Sequence, residues 1–139
     1  MAVSERTLYK QIAQYLQLQY PNAIYRFDLA ADMKLTAGQA SRHKTLHPHR
    51  GYPDLFIASA RTIGDRYYHG LFLELKREGT RIYKKDGTLV ADQHIREQHA
   101  LLVELEKRGY AARFAVGFDQ AKQIIDEYLG GPVTGKVEF

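Results

Sequence analysis

Three charged residues stand where a 139-residue chain ordinarily places apolar ones: Asp54, Glu74 and Lys76. Asp54 opens the run Asp-Leu-Phe-Ile-Ala (54–58), and Glu74 lies inside Leu-Phe-Leu-Glu-Leu (71–75). Two short apolar runs joined by a polar, glycine-containing connection predict a strand pair. If they pair antiparallel about a turn centred near Gly64, Asp54 and Glu74 are each ten positions from that centre and face each other, with Cβ atoms about 4.5–5.5 Å apart. Side chains alternate along a strand, so Lys76 shares the face of Glu74 whereas Leu71, Leu73 and Leu75 point the other way. Two carboxylates this close in a mostly apolar sheet repel each other and lose hydration. Either one holds a proton or both share a cation, and a divalent metal is the economical answer.

These side chains need elements to position them. Ser4 caps a helix to about Gln19, with Leu8, Ile12, Tyr15 and Leu16 on one face. Glu5 falls within the arc of that face, either as a first-turn acid complementing the helix dipole or as a member of the site. Pro21 and Asn22 end the helix, and 24–28 reads as a short strand. From about Leu29 to Arg50 there is no clear periodicity, which predicts an unusually long loop, functional or mobile. Beyond Lys76, Lys85-Asp86-Gly87-Thr88 is a tight-turn signal for a small hairpin between Arg81 and Val90. A helix from about Asp92 to Arg108 stops at Gly109 and buries Ile95, Leu102 and Leu105. Gln98 lies inside that stripe, as a satisfied core amide or as a positioning group. A strand at 111–116 and a helix at 118–129 burying Phe118, Ala121, Ile125 and Tyr128 complete the order.

Composition bounds the rest. With 45% hydrophobic residues, 1–130 reads as one domain with its own core, and the glycine-rich 131–139 as a flexible tail. The absence of cysteine excludes disulfides and thiolate metal sites. No apolar run approaches the roughly 20 residues of a membrane span, and residues 1–6 lack a signal-peptide pattern, so a cytoplasmic protein is expected.

The net charge of +4 is concentrated. Met33 to Pro53 holds no acid but carries Lys34, Arg42, Lys44 and Arg50 with His43, His47 and His49; a second cluster comprises Lys76, Arg77, Arg81, Lys84 and Lys85. Such blocks suit a polyanionic partner or, equally, a solvated surface. The three histidines, irregularly spaced and without cysteine, fit phosphate contacts or loop exposure better than zinc. Of the ten tyrosines, Tyr15 and Tyr128 fall on core faces, which marks most as structural rather than base-stacking.

Pro53-Asp54 followed by Glu74-Leu75-Lys76 resembles the PD-(D/E)xK nuclease signature. The element order resembles that superfamily's restriction-endonuclease-like αβββαβ core, an α/β fold with a mixed central sheet flanked by helices. Gly51-Tyr52-Pro53-Asp54-Leu55, Glu74-Leu75-Lys76 and Gln98, eleven residues before Gly109, are similar more narrowly to the VRR-NUC family of virus-type replication and repair nucleases. The resemblance implies Asp54 and Glu74 as ligands of Mg²⁺ or Mn²⁺, with the Leu75 carbonyl as a further ligand and Glu5 assisting. Lys76 would orient or activate the attacking water and Gln98 would sit beside Lys76. It implies a metal-dependent DNA endonuclease, hydrolysing phosphodiester bonds in structured or branched DNA during replication, repair or recombination. It further implies a bacterial or phage setting and a homodimer. Arg42, Lys44, Arg50, Arg77, Arg81, Lys84 and Lys85 would then contact DNA.

Mg²⁺ takes one or two carboxylates and keeps several waters, which two acids would allow. The sequence departs from the family in the 22 positions from Lys76 to Gln98, whose extra basic segment reads as a DNA-contacting arm or dimer element. A non-cleaving DNA-binding or assembly module on the same fold, and a sequence-specific restriction-type enzyme, are the competing readings.

Overall fold

The computed structural model describes residues 4–28, 34–48 and 51–131. Arg50, His49 and the tail from 132 onward lie outside the described residues.

The chain opens with helix α1 (Glu5–Gln19), capped by the Ser4 side chain accepting from the Thr7 amide. Leu8, Ile12 and Leu16 recur every fourth residue and are buried, and Tyr9, beside them on the wheel, is buried too. After β1 (Tyr25–Phe27) and helix α2 (Ala37–Leu46) come β2 (Leu55–Ile57), β3 (Arg61–Ile63), β4 (Arg66–Tyr68) and β5 (Leu71–Lys76). Helix α3 (Gln93–Lys107), β6 (Ala111–Val116) and helix α4 (Gly117–Leu129) follow.

The four-stranded sheet runs β1-β2-β5-β6. β1–β2 and β2–β5 are antiparallel, whereas β5–β6 is parallel, so its connection must cross over and does so through α3. The sheet is therefore mixed, with helices on both faces. On one face Leu55, Ile57, Leu71, Leu73, Leu75, Ala111 and Ala115 pack with the buried stripes of α1 and α4. On the other, Phe72 and Ala112 pack with Leu102, joined by the partly buried Phe56, Leu105, Tyr110 and Phe114. Each fully buried leucine removes enough apolar surface to contribute about 2 kcal/mol.

The connection between the two central strands is itself a hairpin. β3 and β4 form a separate two-stranded sheet whose pairing, Arg61 with Tyr68, is offset by one residue from that of Leu55 with Leu73. The expected turn at Gly64 is present, with φ of 65° there. At 81–90 the expected hairpin is reduced to a single bridge, Tyr83 with Leu89, closed by Lys84 N–H to Thr88 O and Gly87 N–H to Lys84 O. Asp86 Oδ1 accepts from both the amide and the hydroxyl of Thr88.

The expectation of a loop throughout 29–50 is corrected by α2. None of its residues is buried, so it has no apolar periodicity to read. Local interactions hold it instead: Thr36 Oγ1 accepts from the Gln39 amide, and the Gln39 side chain accepts from the Thr36 amide. His43 and Lys44 in the last turn complement the helix dipole.

Because α2 rests on its cap rather than on burial, Thr36→Ala, a change costing about 0.5–2 kcal/mol of helix stability, should loosen α2 alone. Hydrogen exchange is expected to accelerate several-fold at amides 39–46 while the global urea midpoint stays unchanged; a parallel fall of both would show α2 coupled to the core.

Candidate active site

Asp54 precedes the first paired residue of β2, and the register that sets Leu55 opposite Leu73 brings it to Glu74. The two carboxyls are close enough to interact directly, so ionising both is disfavoured. Burial, foremost, pushes the Glu74 carboxyl far above the ordinary carboxylate range, and the charge of Asp54 adds to it. Asp54 is also raised by burial, opposed by its interaction with Glu74, by the Leu75 amide donating to its Oδ2 at 2.8 Å, and by the Tyr9 hydroxyl.

Glu74 and Lys76 alternate with Leu73 and Leu75 along β5, so they leave the leucine core and face α3. There the Gln98 amide nitrogen donates to Glu74 Oε2 at 2.9 Å, and Lys76 Nζ lies 4.0 Å from the same oxygen. Gln98 thus stands beside Lys76 on a shared partner. Asp54, Glu74, Lys76 and Gln98 are the buried polar side chains among the described residues, with exposures of 6%, 3%, 9% and 5%. In an otherwise apolar interior, polar burial is concentrated in this one place.

Among the described residues four buried side-chain atoms lack a hydrogen-bond partner, His43 Nε2, Arg61 Nε, Glu74 Oε1 and Gln98 Oε1, and the last two belong to this group. An orphaned carboxylate oxygen beside a second carboxylate is a donor set of oxygen alone, which suits a hard divalent cation that retains water. Among the described residues no group of three or more His, Asp or Glu is arranged to hold a metal. Glu5 is half-buried on the rim of the same cleft, and its charge is felt at both Glu74 and Tyr9. Leu75 also lines the cleft.

The cleft above the acids measures about 500 Å³. Its rim includes His43 and Lys44 of α2 and His47, which caps that helix, so the acid-free segment does reach the mouth of the carboxylate pair. Arg42 is exposed on α2 without lining the cleft, and Arg77, Arg81, Lys84 and Lys85 are exposed elsewhere. His43 and His47 stack at 4.5 Å, and His43 Nε2 lies 3.9 Å from Asp28. Gly51, at φ of 76°, passes so close to α3 that a Cβ there would sit 3.0 Å from the backbone N and Cα of Gln98. A side chain at 51 would push Gln98 away from Glu74.

Two residues escaped the sequence reading. Tyr9 is buried against Phe27, rings 5.4 Å apart, and lines the cleft beside Asp54; burial, foremost, and the Asp54 charge raise its pKa. Its neighbour Leu8 drew the helix face, and a tyrosine one step round the wheel carries no separate signal. His94, one turn before Gln98 and on the cleft rim, places Nε2 3.2 Å from the Gln98 amide nitrogen. The i, i+4 spacing of His94 and Gln98 was the available clue.

No family model matches the chain, and no curated protein matches it in sequence. Among solved structures, one described as "VRR_NUC domain protein" superposes with a TM-score of 0.67 at 23% identity, covering 95% of this chain and 93% of the other. The chain therefore has the fold of that protein, a mixed α/β sheet flanked by helices, along nearly the whole length of both.

Proposed function

We propose that the chain is a divalent-metal-dependent nuclease that hydrolyses phosphodiester bonds in DNA. The observation that carries this reading is the convergence of Asp54, Glu74, Lys76 and Gln98, the buried polar side chains among the described residues, on one cleft. The fold shared with a protein described by a VRR_NUC domain supports it.

Asp54 and Glu74 would hold Mg²⁺ or Mn²⁺, with the Leu75 carbonyl and Glu5 as further contributors. The bound cation supplies Lewis-acid stabilisation of the phosphate and lowers the pKa of water. Lys76 is a fixed cation within 4.0 Å of Glu74 Oε2 and would stabilise charge developing on the phosphoryl oxygens. Gln98 spends its amide hydrogens on Glu74 and His94, which leaves Oε1 as an acceptor able to orient a water. The Leu75 amide donates to Asp54 Oδ2, favouring the ionised form that a cation needs. The cleft also presents Glu5, Asp28 and Glu97 against Lys44 and Lys76, so a polyanion entering it requires added positive charge. Structured or branched DNA is the substrate favoured here, and a homodimer would supply one active centre for each strand. A module that binds DNA without cutting is the competing reading.

Of labelled duplex, flap and four-way-junction DNA incubated with Mg²⁺ or Mn²⁺, the wild type should cleave at least one. Asp54→Ala should abolish cleavage, and Lys76→Ala should lower the rate about 10²- to 10³-fold. Binding without cleavage by the wild type would favour the non-cutting module, and wild-type rates in both variants would refute the catalytic assignment.

Metal and pH should be linked through the acid pair. With both folded-state pKa values raised, the folded protein keeps a proton that the unfolded chain releases above about pH 4. That contribution favours the fold at low pH and is lost as pH rises. In chelator, the melting temperature should therefore fall from about pH 5 to pH 8. Mg²⁺ should restore it at the upper end and do little at the lower, because binding displaces the proton. Asp54→Asn should weaken both responses in calorimetry.

Replacing Arg42 and Lys44 by alanine should weaken DNA binding and reduce the slope of log K against log salt by about 2, as two phosphate contacts are lost. An unchanged slope in fluorescence anisotropy would place α2 outside the DNA path.

A further inference from the structure

The same cleft carries aromatic surface that phosphodiester chemistry does not use. Tyr52 lines it and is 48% exposed. Its ring stands edge-on to the buried Phe72, with centroids 5.8 Å apart and planes at 83°, and Phe72 in turn packs on Phe56 and Tyr110. Tyr52 is thus anchored below by an aromatic stack while much of its own surface stays open. The stacked rings of His43 and of His47, which caps α2, line the cleft, and α2 buries no side chain of its own. Asp28 links the two groups, being 3.9 Å from His43 and close enough for its charge to raise the Tyr52 pKa behind the larger effect of burial.

The reactive pair lies at the bottom of this cleft, with Asp54 and Glu74 both more than nine-tenths buried. A volume of about 500 Å³ is in the range that encloses a ligand of nucleotide size. In a duplex every base face is covered by its neighbours, so aromatic walls beside a buried phosphate site can be used only by a base that has left the stack.

Resting on the nuclease reading, we propose that Tyr52 and the His43–His47 pair form a slot for one unstacked nucleobase next to the scissile phosphate. The substrate class is then a single-stranded or frayed segment, and an intact duplex is a poor substrate. Tyr52 is the specificity-determining residue of the slot.

Two measurements separate this proposal from the nuclease reading. The first uses an oligonucleotide carrying 2-aminopurine, bound in Ca²⁺ without cleavage, with wild type, Tyr52→Phe and Tyr52→Leu. Stacking should quench the fluorophore in wild type and Tyr52→Phe, and the quench should be lost in Tyr52→Leu, which keeps apolar contact with Phe72 but has no ring face. The second compares cleavage of single-stranded, flap and fully paired DNA in Mg²⁺ or Mn²⁺. Single-stranded and flap substrates should be cut at least about tenfold faster than paired DNA, and Tyr52→Leu should raise KM for them about tenfold with a smaller change in kcat, while Tyr52→Phe retains wild-type values.

Equal cleavage of paired and unpaired DNA, or a quench that survives in Tyr52→Leu, overturns the slot. A quench that depends on Tyr52, in a protein that cuts nothing, supports the slot and overturns the nuclease reading. Melting curves matching wild type in both variants are required for the comparison, and Tyr52→Phe serves as the folded reference if Tyr52→Leu melts early.

Discussion

Asp54 and Glu74 oppose each other across two strands of an apolar sheet, and the rest of the site is organised by what that opposition costs. Each carboxyl is desolvated by burial and each feels the other, so the pair cannot hold two uncompensated charges. The surrounding groups act to limit that cost without cancelling it. The Leu75 amide donates to Asp54, the Gln98 amide donates to Glu74, and Lys76 brings a positive charge near Glu74. Glu74 Oε1 still has no donor. A pair stabilised on most sides and open on one is what the proposed cation would complete, whereas a purely structural pair would gain by closing the last side.

The parity of β5 separates stability from chemistry. Its odd positions, Leu71, Leu73 and Leu75, enter the core with α1 and α4, while its even positions change along the strand from Phe72 to Glu74 to Lys76. The opposite helix follows the same change: Leu102 meets Phe72, and Gln98, one turn nearer the N-terminus, meets Glu74. The second, smaller hydrophobic cluster thus grades into the site within about two residues of strand. Gly51 makes this possible on the remaining side, since only a residue without Cβ can approach the α3 backbone at Gln98 so closely.

What the sequence made legible was whatever produces periodicity. The facing of Asp54 and Glu74, the side taken by Lys76, the helices bearing Glu5 and Gln98, and the strand at 111–116 all follow from alternation or a 3.6-residue repeat, because each helix buries one face and the two faces of each strand meet different neighbours. α2 has no buried face, so it left no pattern, although its Thr36-x-x-Gln39 capping box was readable. The β3–β4 hairpin is hidden for a related reason: its residues are exposed or half-exposed, and its strands are only three residues each. Tyr9 and His94 were missed because their importance lies in a partner on another element or another turn rather than in their own position. Charge runs revealed composition but not direction: Lys44 reaches the cleft, whereas Lys84 and Lys85 do not.

The distribution of charge around the cleft separates attraction from chemistry. Inside it five acids, Glu5, Asp28, Asp54, Glu74 and Glu97, outnumber Lys44 and Lys76, while Arg42 and the 77–85 cluster lie outside on exposed surface. On the proposed reading a polyanion is drawn to the molecule by charges that cannot reach the acids, and repelled at close range until a cation binds. The same reading makes approach sensitive to salt and the final descent of a phosphate sensitive to divalent metal. The aromatic surfaces of Tyr52, His43 and His47 lie between those two zones in function, adding an attraction for a nucleobase that neither salt screening nor the acids oppose. An active centre with acidic walls can discriminate by that contribution, since a nucleotide able to stack offsets a repulsion that a fully paired one meets unaided.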